Sequence, residues 1–403
     1  MKFHHLFILP FLILVSSCGQ IEQRKDCNCE KPTVSKEESQ KCEAAPEKKM
    51  ISEYGLLKKT DWGLINEKMN QDQLILAWPA WLRSCSTLIN KSSWKKSCEA
   101  ALLMAADSSN QELINYFHEH FNLYQAHQAD DSTKGLITGY YQPILEGSRE
   151  KTTRFQVPLY APPSDLITVD LSELYPDLKY KRLRGRVDGN KLIPYFSREA
   201  ISDQEIPLKG NELFWVQDAV EAFFLEIQGS GVIQFEDGSR TQVGYADQNG
   251  HPYRSMGLAL IEEGELARHK VSMASIKAWA KNNKQKLRKF LNANPSFVFF
   301  RELPQGLPGP IGAMGIPISS ERSVAIDRKF IPLGAPIFLS TTEPNTETPL
   351  ERLMVAQDTG GAIAGGVRAD FYWGQGDEAG KKAGSMKQQG TIWVLLPKDF
   401  KFK

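Results

Sequence analysis

The spacing of apolar residues changes several times along the chain. From Ile51 to about Gln125, apolar residues recur three and four positions apart, which predicts amphipathic helices. From Gly135 to about Tyr253, short runs of aromatic and β-branched residues alternate with Gly, Pro and Asp turns, which predicts strands. Helical spacing returns between Tyr253 and Asn292, and strand-like runs then continue to the end. We therefore predict a mainly β protein with a helical N-terminal part (α+β), in which one β domain is inserted into another, discontinuous one.

Two stretches carry more specific predictions. The segment QELINYFHEHFNLYQAH, residues 111–127, is predicted to be helical throughout. The segment FFLEIQGSG, residues 223–231, is predicted to be a strand that ends in an amide and a hydroxyl between glycines. Such an end offers hydrogen-bond donors and acceptors to a neutral ligand that bears hydroxyl and acetamido groups.

The N-terminus has the pattern of a secretory signal. An apolar run extends from Leu6 to Val15, and a run of ~10 residues is too short to span a bilayer but suits a signal peptide. The ending Val-Ser-Ser-Cys resembles the bacterial lipobox, so residues 1–17 are predicted to be the signal peptide and Cys18 the lipidated residue. The alternative is an ordinary signal peptide with an incidental cysteine. By the same resemblance, Gly19 fits sorting to the outer membrane, on its periplasmic side.

Residues 18–50 are rich in Lys, Glu, Ser and Pro and almost lack large apolar side chains, which predicts a disordered tether. Cys27, Cys29 and Cys42 lie in this tether, and local disulfides or incidental thiols are favoured over a metal knuckle because no histidine is near. Cys85 and Cys98 fall in or between predicted helices, where they either pair with each other or remain two buried thiols.

The charge balance excludes one class of partner. The 49 basic and 48 acidic residues leave no field that would attract nucleic acid. No residue pattern requires a metal or an organic cofactor, so none is predicted.

Three aspartates in the C-terminal block are candidate catalytic residues. Asp327, Asp358 and Asp370 each adjoin a strand-like apolar run, and a segment with four glycines separates the last two. We expect Asp358 and Asp370 to face one cleft, where burial raises the pKa of a carboxyl group until it can donate a proton near neutral pH. The alternative is that each aspartate caps a turn, and the clustering of three favours a site.

Two look-alike motifs are set aside. The triplet Asp358-Thr359-Gly360 resembles the active-site triplet of aspartic proteases, but those enzymes need two triplets and no second is present. The glycine pattern of residues 374–379 mimics a dinucleotide fingerprint, but too few residues remain to complete a βαβ unit. Several aromatic residues offer flat faces to sugar rings, with barrel core as the alternative role; they are Tyr140, Tyr141, Tyr245, Tyr372 and Trp373.

Six ordered motifs between about Gly135 and Leu396 carry a family resemblance. They are GYYQP, FFLEIQGSG, DGSRTQVGYADQNGHPYRSMG, GAMGIPISSERSVAIDRKFIPLGAP, AQDTGGAIAG and RADFYWGQGDEAG. In this order they resemble the membrane-bound lytic murein transglycosylase A family. The resemblance implies a double-psi β-barrel domain, formed by residues 51–143 and 256–403, and a second β-barrel domain inserted at 144–255. A groove between the two would hold the glycan strand.

The resemblance also implies an activity: cleavage of the β-1,4 bond between N-acetylmuramic acid and N-acetylglucosamine in peptidoglycan, with a 1,6-anhydro product. Asp370 would carry both proton transfers, and Asp358 would orient the site and raise the pKa of Asp370 by like-charge repulsion. Gln228 and Ser230 match a saccharide-contacting pair. The remaining candidate substrate-binding residues are Thr138, Tyr140, Tyr245 and Asp327.

Alternatives from other functional classes remain open. One is a peptidoglycan-binding lipoprotein without catalysis, and the other is a muramidase-type hydrolase that uses water. Membership of a larger cell-wall enzyme complex is a further possible partnership.

Overall fold

A computed structural model describes residues 53–203 and 208–402. The predicted signal peptide, Cys18, the tether and its three cysteines lie outside these residues. The helices in the described ranges are α1 (Asn66–Gln71), α2 (Trp78–Leu88), α3 (Ser92–Leu103), α4 (Asn110–His120), α5 (Arg198–Asp203), α6 (Ala219–Gln228), α7 (Met256–Glu262), α8 (Met273–Asn282), α9 (Lys284–Asn292) and α10 (Gly376–Ser385). In that part of the chain, no helix has the length and apolar character needed to cross a membrane.

The strands in the same ranges form three sheets. They are β1 (Leu57–Lys59), β2 (Phe121–Ala126), β3 (Gly135–Gln142), β4 (Ile144–Ser148), β5 (Val157–Tyr160), β6 (Ile167–Thr168), β7 (Arg184–Asp188), β8 (Lys191–Pro194), β9 (Glu212–Val216), β10 (Ser230–Gln234), β11 (Arg240–Gln248), β12 (Val298–Glu302), β13 (Ser323–Ile326), β14 (Pro336–Thr342), β15 (Pro349–Asp358), β16 (Ala369–Gln375) and β17 (Lys387–Pro397). Helices α1 to α4 precede most of them, so the predicted fold class is confirmed.

Six strands of the first sheet close into a barrel. The order is β17-β14-β15-β13-β16-β3, and β3 pairs back to β17. Strand β17 is long enough to pair with two further strands besides β14. Its residues 387–390 pair with β3, and its residues 393–397 pair with β2. The pairs β13–β15 and β16–β3 are parallel, whereas the other pairs in the ring are antiparallel.

The second sheet has the order β12-β11-β10-β4-β9-β5, and the chain enters it from β3 through Pro143. All of its strands lie between β3 and β13 in sequence, so this sheet is inserted into the first one as the apolar pattern predicts. The domain boundaries at 144 and 255 stay a prediction, and β12, which follows them, pairs with β11. Strands β6, β7 and β8 form a small separate sheet.

The helix predicted for residues 111–127 is only half correct. Helix α4 ends at His120, and Phe121 takes extended dihedrals of φ −126° and ψ 153°. Residues 121–126 form β2, which lies between β1 and β17. Pairing with strands on both sides satisfies the backbone hydrogen bonds of this short segment. These tertiary contacts outweigh the helical preference that its apolar spacing indicates.

The strand predicted for residues 223–228 is wrong, because this segment is the second half of α6. The Asp218 side chain accepts hydrogen bonds from the backbone N–H groups of Val220 and Glu221, which caps the helix start. Gly229 ends the helix in the left-handed region at φ +77°, which glycine adopts without strain. A short, continuous apolar run does not by itself distinguish a buried strand from a buried helix. Helix α10 was also not predicted.

The helical N-terminal part is joined to the barrel by a buried ion pair. The Arg322 guanidinium donates to both carboxylate oxygens of Asp72 at 2.8 Å, and the two side chains are 6% and 4% exposed. Asp72 also accepts from the Leu353 N–H of β15 at 2.7 Å, and Arg322 donates to the Leu353 carbonyl. The pair therefore fixes α1 against the strand that ends in Asp358. Cys85 and Cys98 form a disulfide between α2 and α3.

Replacing Asp72 by alanine is expected to destabilise the protein by about 3–5 kcal/mol, because it leaves the Arg322 charge buried without its partner. The measurement is chemical denaturation at neutral pH. The matched control is Asp399→Ala, which breaks the exposed Lys96–Asp399 pair and is expected to leave the stability nearly unchanged, because solvent screens an exposed pair. Equal losses in the two variants would contradict a structural role for the buried pair.

Candidate active site

Neighbouring strands of the barrel place the two later aspartates in one row. Ala325 of β13 pairs with Asp358 of β15 on one side and with Asp370 of β16 on the other. Asp370 in turn pairs with Thr138 of β3. At ~4.8 Å between adjacent strands, the Cα atoms of the two aspartates lie roughly 10 Å apart. The register thus places both aspartates in one row, with Asp370 as the second residue of β16, and a cleft that both carboxylates face stays a prediction.

Asp370 is partly exposed as a residue, and its carboxyl group is enclosed by protein. The Thr138 hydroxyl donates to its Oδ1 at 2.6 Å, and the Arg368 Nη2 donates to that hydroxyl oxygen at 2.9 Å. Burial raises the pKa of Asp370, while the Thr138 hydrogen bond and the Arg368 charge oppose the rise. The carboxyl group thus retains its proton above its ordinary pKa and has two groups ready to stabilise its anion.

Asp358 accepts three hydrogen bonds. Tyr140 donates its hydroxyl to Oδ2 at 3.0 Å, and the N–H groups of Ala313 and Thr359 donate to Oδ1 at 3.0 and 2.9 Å. These donors favour the ionised form, yet burial outweighs them and raises the pKa of Asp358 to about 6. The negative charge of Asp370 adds to this rise.

The main cause of the raised pKa of Asp370 is burial, whereas the prediction from the sequence names repulsion from Asp358. Repulsion between two nearby carboxylates belongs to the pair, and here it adds to the raised pKa of Asp358. Thr138 and Arg368 stabilise the anion of Asp370 and so limit the rise of its pKa.

A buried aromatic pair packs beside the two aspartates. The rings of Tyr140 and Tyr372, which pair across β3 and β16, lie 5.1 Å apart. They pack with Ile318 and Ile363 in a small cluster. Burial and the two nearby carboxylates raise the pKa of Tyr140 well above its ordinary value, so its hydroxyl stays a neutral donor.

Asp327 has a different position from the other two aspartates. It follows β13 and accepts hydrogen bonds from the N–H groups of Gly365 and Lys329, both at 3.0 Å. Gly365 has φ +126°, a conformation that side chains disfavour. Asp327 therefore holds the glycine-rich loop between Asp358 and Asp370 at Gly365.

The candidate saccharide residues meet where α6 ends and β10 begins. Gln228 is the last residue of α6, and its Oε1 accepts from the Tyr141 N–H at 3.0 Å. Ser230 opens β10, and the N–H of Tyr245 donates to the Gly229 carbonyl at 2.6 Å. Because Gln228 contacts the end of β3, this group is fixed to the strand that carries Thr138 and Tyr140.

Four of the five candidate aromatic residues are buried in the core. Trp373 donates its indole N–H to the Met386 sulfur at 3.3 Å, and its exposure is 4%. Tyr141 is 5% exposed and lies against Gly380 of α10. Tyr140 and Tyr372 are 7% and 2% exposed, so the barrel-core interpretation holds for these four, whereas Tyr245 is partly exposed.

Sequence reasoning missed two groups of the site. Arg368, two residues before Asp370, could have been found as a cation adjoining a candidate acid. The Ala313 N–H could not, because a backbone donor leaves no signal in the residue type. Chemically, the site offers a protonated carboxyl group that can give up and regain a proton, beside a second carboxyl group of raised pKa.

Comparisons with known proteins match this architecture. The MltA specific insert domain matches residues 136–301, and the 3D domain matches residues 322–396. The chain is 35% identical over 280 residues to membrane-bound lytic murein transglycosylase A of Escherichia coli K12, covering 68% of both chains.

Solved structures agree in fold. A crystal structure of MltA from Neisseria gonorrhoeae is similar with a TM-score of 0.72 and 35% identity, over 83% of this chain and 92% of that one. A structure of E. coli MltA with bound chitohexaose has a TM-score of 0.62 and 28% identity, over 81% and 90% of the two chains. The chain therefore belongs to the membrane-bound lytic murein transglycosylase A family.

Proposed function

We propose that this protein is a peptidoglycan lytic transglycosylase. It cleaves the β-1,4 bond between N-acetylmuramic acid and N-acetylglucosamine and leaves a 1,6-anhydromuramic acid end. The observation that carries the proposal is the Asp370 carboxyl group, whose pKa is raised by burial while the Thr138 hydroxyl and the Arg368 charge stabilise its anion. Family membership and the chitohexaose bound by the E. coli relative support a glycan as the substrate.

Asp370 serves as acid and then as base. It first donates its proton to the glycosidic oxygen, which breaks the C1–O bond and releases N-acetylglucosamine as an alcohol. The resulting carboxylate, stabilised by the Thr138 hydroxyl, takes the proton from the 6-hydroxyl of muramic acid as that oxygen bonds to C1. Asp370 ends the cycle protonated, and no water is consumed.

Asp358 acts on the charge that develops during cleavage. The transition state of glycosidic cleavage resembles an oxocarbenium ion, which a nearby carboxylate stabilises. Tyr140, Ala313 and Thr359 hold the Asp358 carboxylate in one orientation in the same row of the barrel. Glycan contacts are assigned to the remaining candidates, which are Gln228, Ser230, Tyr245, Thr138, Tyr140 and Asp327.

The proposal includes a location. Lipidation of Cys18 would anchor the protein to the outer membrane on its periplasmic side, with residues 18–50 as a tether and residues 51–143 with 256–403 as the catalytic domain around the 144–255 insert. Two or more acyl chains give stable anchoring. The relatives' names, which describe them as membrane-bound, support this location. From this location the protein could also join a cell-wall enzyme complex.

Asp370→Asn is expected to abolish the release of anhydro-muropeptides from purified sacculi, by at least ~1000-fold, because an amide cannot transfer the proton. Sacculus binding should be retained. Mass spectrometry of the digest measures the product, and Asp188→Asn, on the exposed β7–β8 turn, is the control.

Three outcomes would contradict the proposal. Release by Asp370→Asn at the wild-type rate would remove Asp370 from the mechanism. A wild-type digest in labelled water that gives reducing ends carrying the labelled oxygen would identify a hydrolase. A wild-type protein that binds sacculi and releases no fragment would identify a binding lipoprotein.

Thr138→Val is expected to move the alkaline limb of the kcat/KM profile to higher pH by about one unit. The hydroxyl favours the ionised form of Asp370, so its loss raises the pKa of Asp370 further. Since the acid must be protonated to act, activity then persists to higher pH. Thr138→Ser keeps the donor and should reproduce the wild-type limb; a Val profile that coincides with the Ser profile would refute this role.

Asp358→Asn is expected to stabilise the fold at pH 7.5 by about 3 kcal/mol. The folded pKa of Asp358, about 6, exceeds that of an unfolded aspartate, so its favourable contribution is complete at low pH and is lost as pH rises through about 6. The amide carries no charge at any pH. Denaturation at pH 4 and pH 7.5 should therefore show a gain only at the higher pH, and a gain of equal size at both would contradict the account.

A further inference from the structure

A positively charged segment connects the two sides of the molecule that carry the candidate site. We call residues 178–186, LKYKRLRGR, the basic strap; it holds five cationic side chains among nine residues and no acidic one. It precedes and enters β7 of the small third sheet. On one side, Lys179 pairs with Glu53 at 2.9 Å, and the Arg328 guanidinium lies 5.4 Å from the Tyr180 ring.

The other end of the strap is fixed to the second sheet. Arg184 donates through Nε to both oxygens of Asp247 on β11, at 2.8 and 3.0 Å. The Arg186 guanidinium lies 4.3 Å from the centre of the Phe196 ring. The strap therefore runs from the neighbourhood of Asp327, which Arg328 follows in sequence, to the sheet that carries Ser230 and Tyr245.

Arg182 stands in the middle of this strap, and its guanidinium lies between the two sets of site residues. It is 5.8 Å from the centre of the Tyr245 ring, within the range of a cation–π contact. A Cβ atom added at Gly361, in the loop between Asp358 and Asp370, would lie 3.8 Å from its Nη1. The same guanidinium thus touches the saccharide side and the catalytic loop.

The charge of Arg182 is exposed and has no internal counterion. Within residues 53–203 and 208–402, no carboxylate lies within ion-pairing distance of Arg182, whereas Lys179 and Arg184 on the same strap are both paired. The planar guanidinium presents parallel N–H donors that match a carboxylate, and the Tyr245 ring restricts its orientation.

We propose that Arg182 binds a carboxylate of the substrate and gives the enzyme its preference for murein over neutral glycans. This inference rests on the proposed function. Murein differs from a chitin-type oligosaccharide by the lactyl group of muramic acid, which is a free carboxylate in bare glycan and carries the carboxylates of the peptide stem in intact sacculi. Both sources present the same chemistry to Arg182, and the assay below separates them.

The test compares Arg182→Gln with Lys181→Gln. The two changes remove one charge from adjacent exposed positions of the strap, but Lys181 contacts neither Tyr245 nor Gly361. Each variant is assayed on peptide-bearing sacculi and on amidase-treated glycan, and its affinity for chitohexaose is measured by calorimetry. Arg182→Lys is included because it keeps the charge without the paired donors.

Arg182→Gln is expected to lower kcat/KM by about five- to tenfold on at least one of the two murein substrates, mainly through KM. Loss on sacculi alone assigns the stem carboxylates, and loss on bare glycan alone assigns the lactyl carboxylate. The affinity for chitohexaose should stay at the wild-type value. Added salt should weaken the wild-type preference and leave the Gln variant unchanged.

Two results would overturn the inference. One is equal activity of Arg182→Gln and Lys181→Gln on both murein substrates. The other is an equal loss of chitohexaose affinity, which would indicate a general structural role. Either result leaves the wild-type release of anhydro ends intact, whereas absence of that release from the wild type would contradict the proposed function itself.

Discussion

The burial of the Asp370 carboxyl group is the constraint on which the rest of the site depends. Removing a carboxylate from water disfavours its charged form, so the group keeps its proton above its ordinary pKa. The same group can act as a base only if it also ionises. The Thr138 hydroxyl, which donates to Asp370 and accepts from Arg368, stabilises the ionised form and so opposes the effect of burial. Both the protonated and the ionised form of this carboxyl group are therefore stabilised by the site. This suits a reaction in which one carboxyl group first donates a proton and then accepts one.

The barrel explains why these groups stay aligned. Asp358, Ala325, Asp370 and Thr138 lie in one row across four adjacent strands, so their spacing is set by backbone hydrogen bonds rather than by side-chain packing. The buried Asp72–Arg322 pair joins the helical layer to β15, the strand that ends in Asp358. Asp327 holds the glycine-rich loop between Asp358 and Asp370 by accepting a hydrogen bond from the Gly365 N–H.

The sequence predicted the composition of the site better than its electrostatics. Asp358 and Asp370 could be found because each adjoins an apolar run, and such runs have few structural alternatives in a β block. The helix at Ala219–Gln228 and the strand at Phe121–Ala126 were misassigned because local apolar spacing does not record which partner a segment will find. The electrostatics of Asp370 could not be predicted from its neighbours in sequence, because the raised pKa comes from burial in the folded barrel and the opposing hydrogen bond comes from Thr138, 232 residues away.

The division of labour between the two sheets follows from these contacts. The first barrel holds Asp358 and Asp370, Gln228 and Ser230 lie where α6 ends and β10 begins, and Gln228 accepts a hydrogen bond from Tyr141 of β3. The most direct test of the central claim is an NMR titration of the carboxyl carbons in protein labelled with ¹³C at aspartate. A resonance that is absent from Asp370→Asn should titrate clearly above the ordinary aspartate pKa of about 3.9. Titration of that resonance at or below the ordinary value would contradict the account.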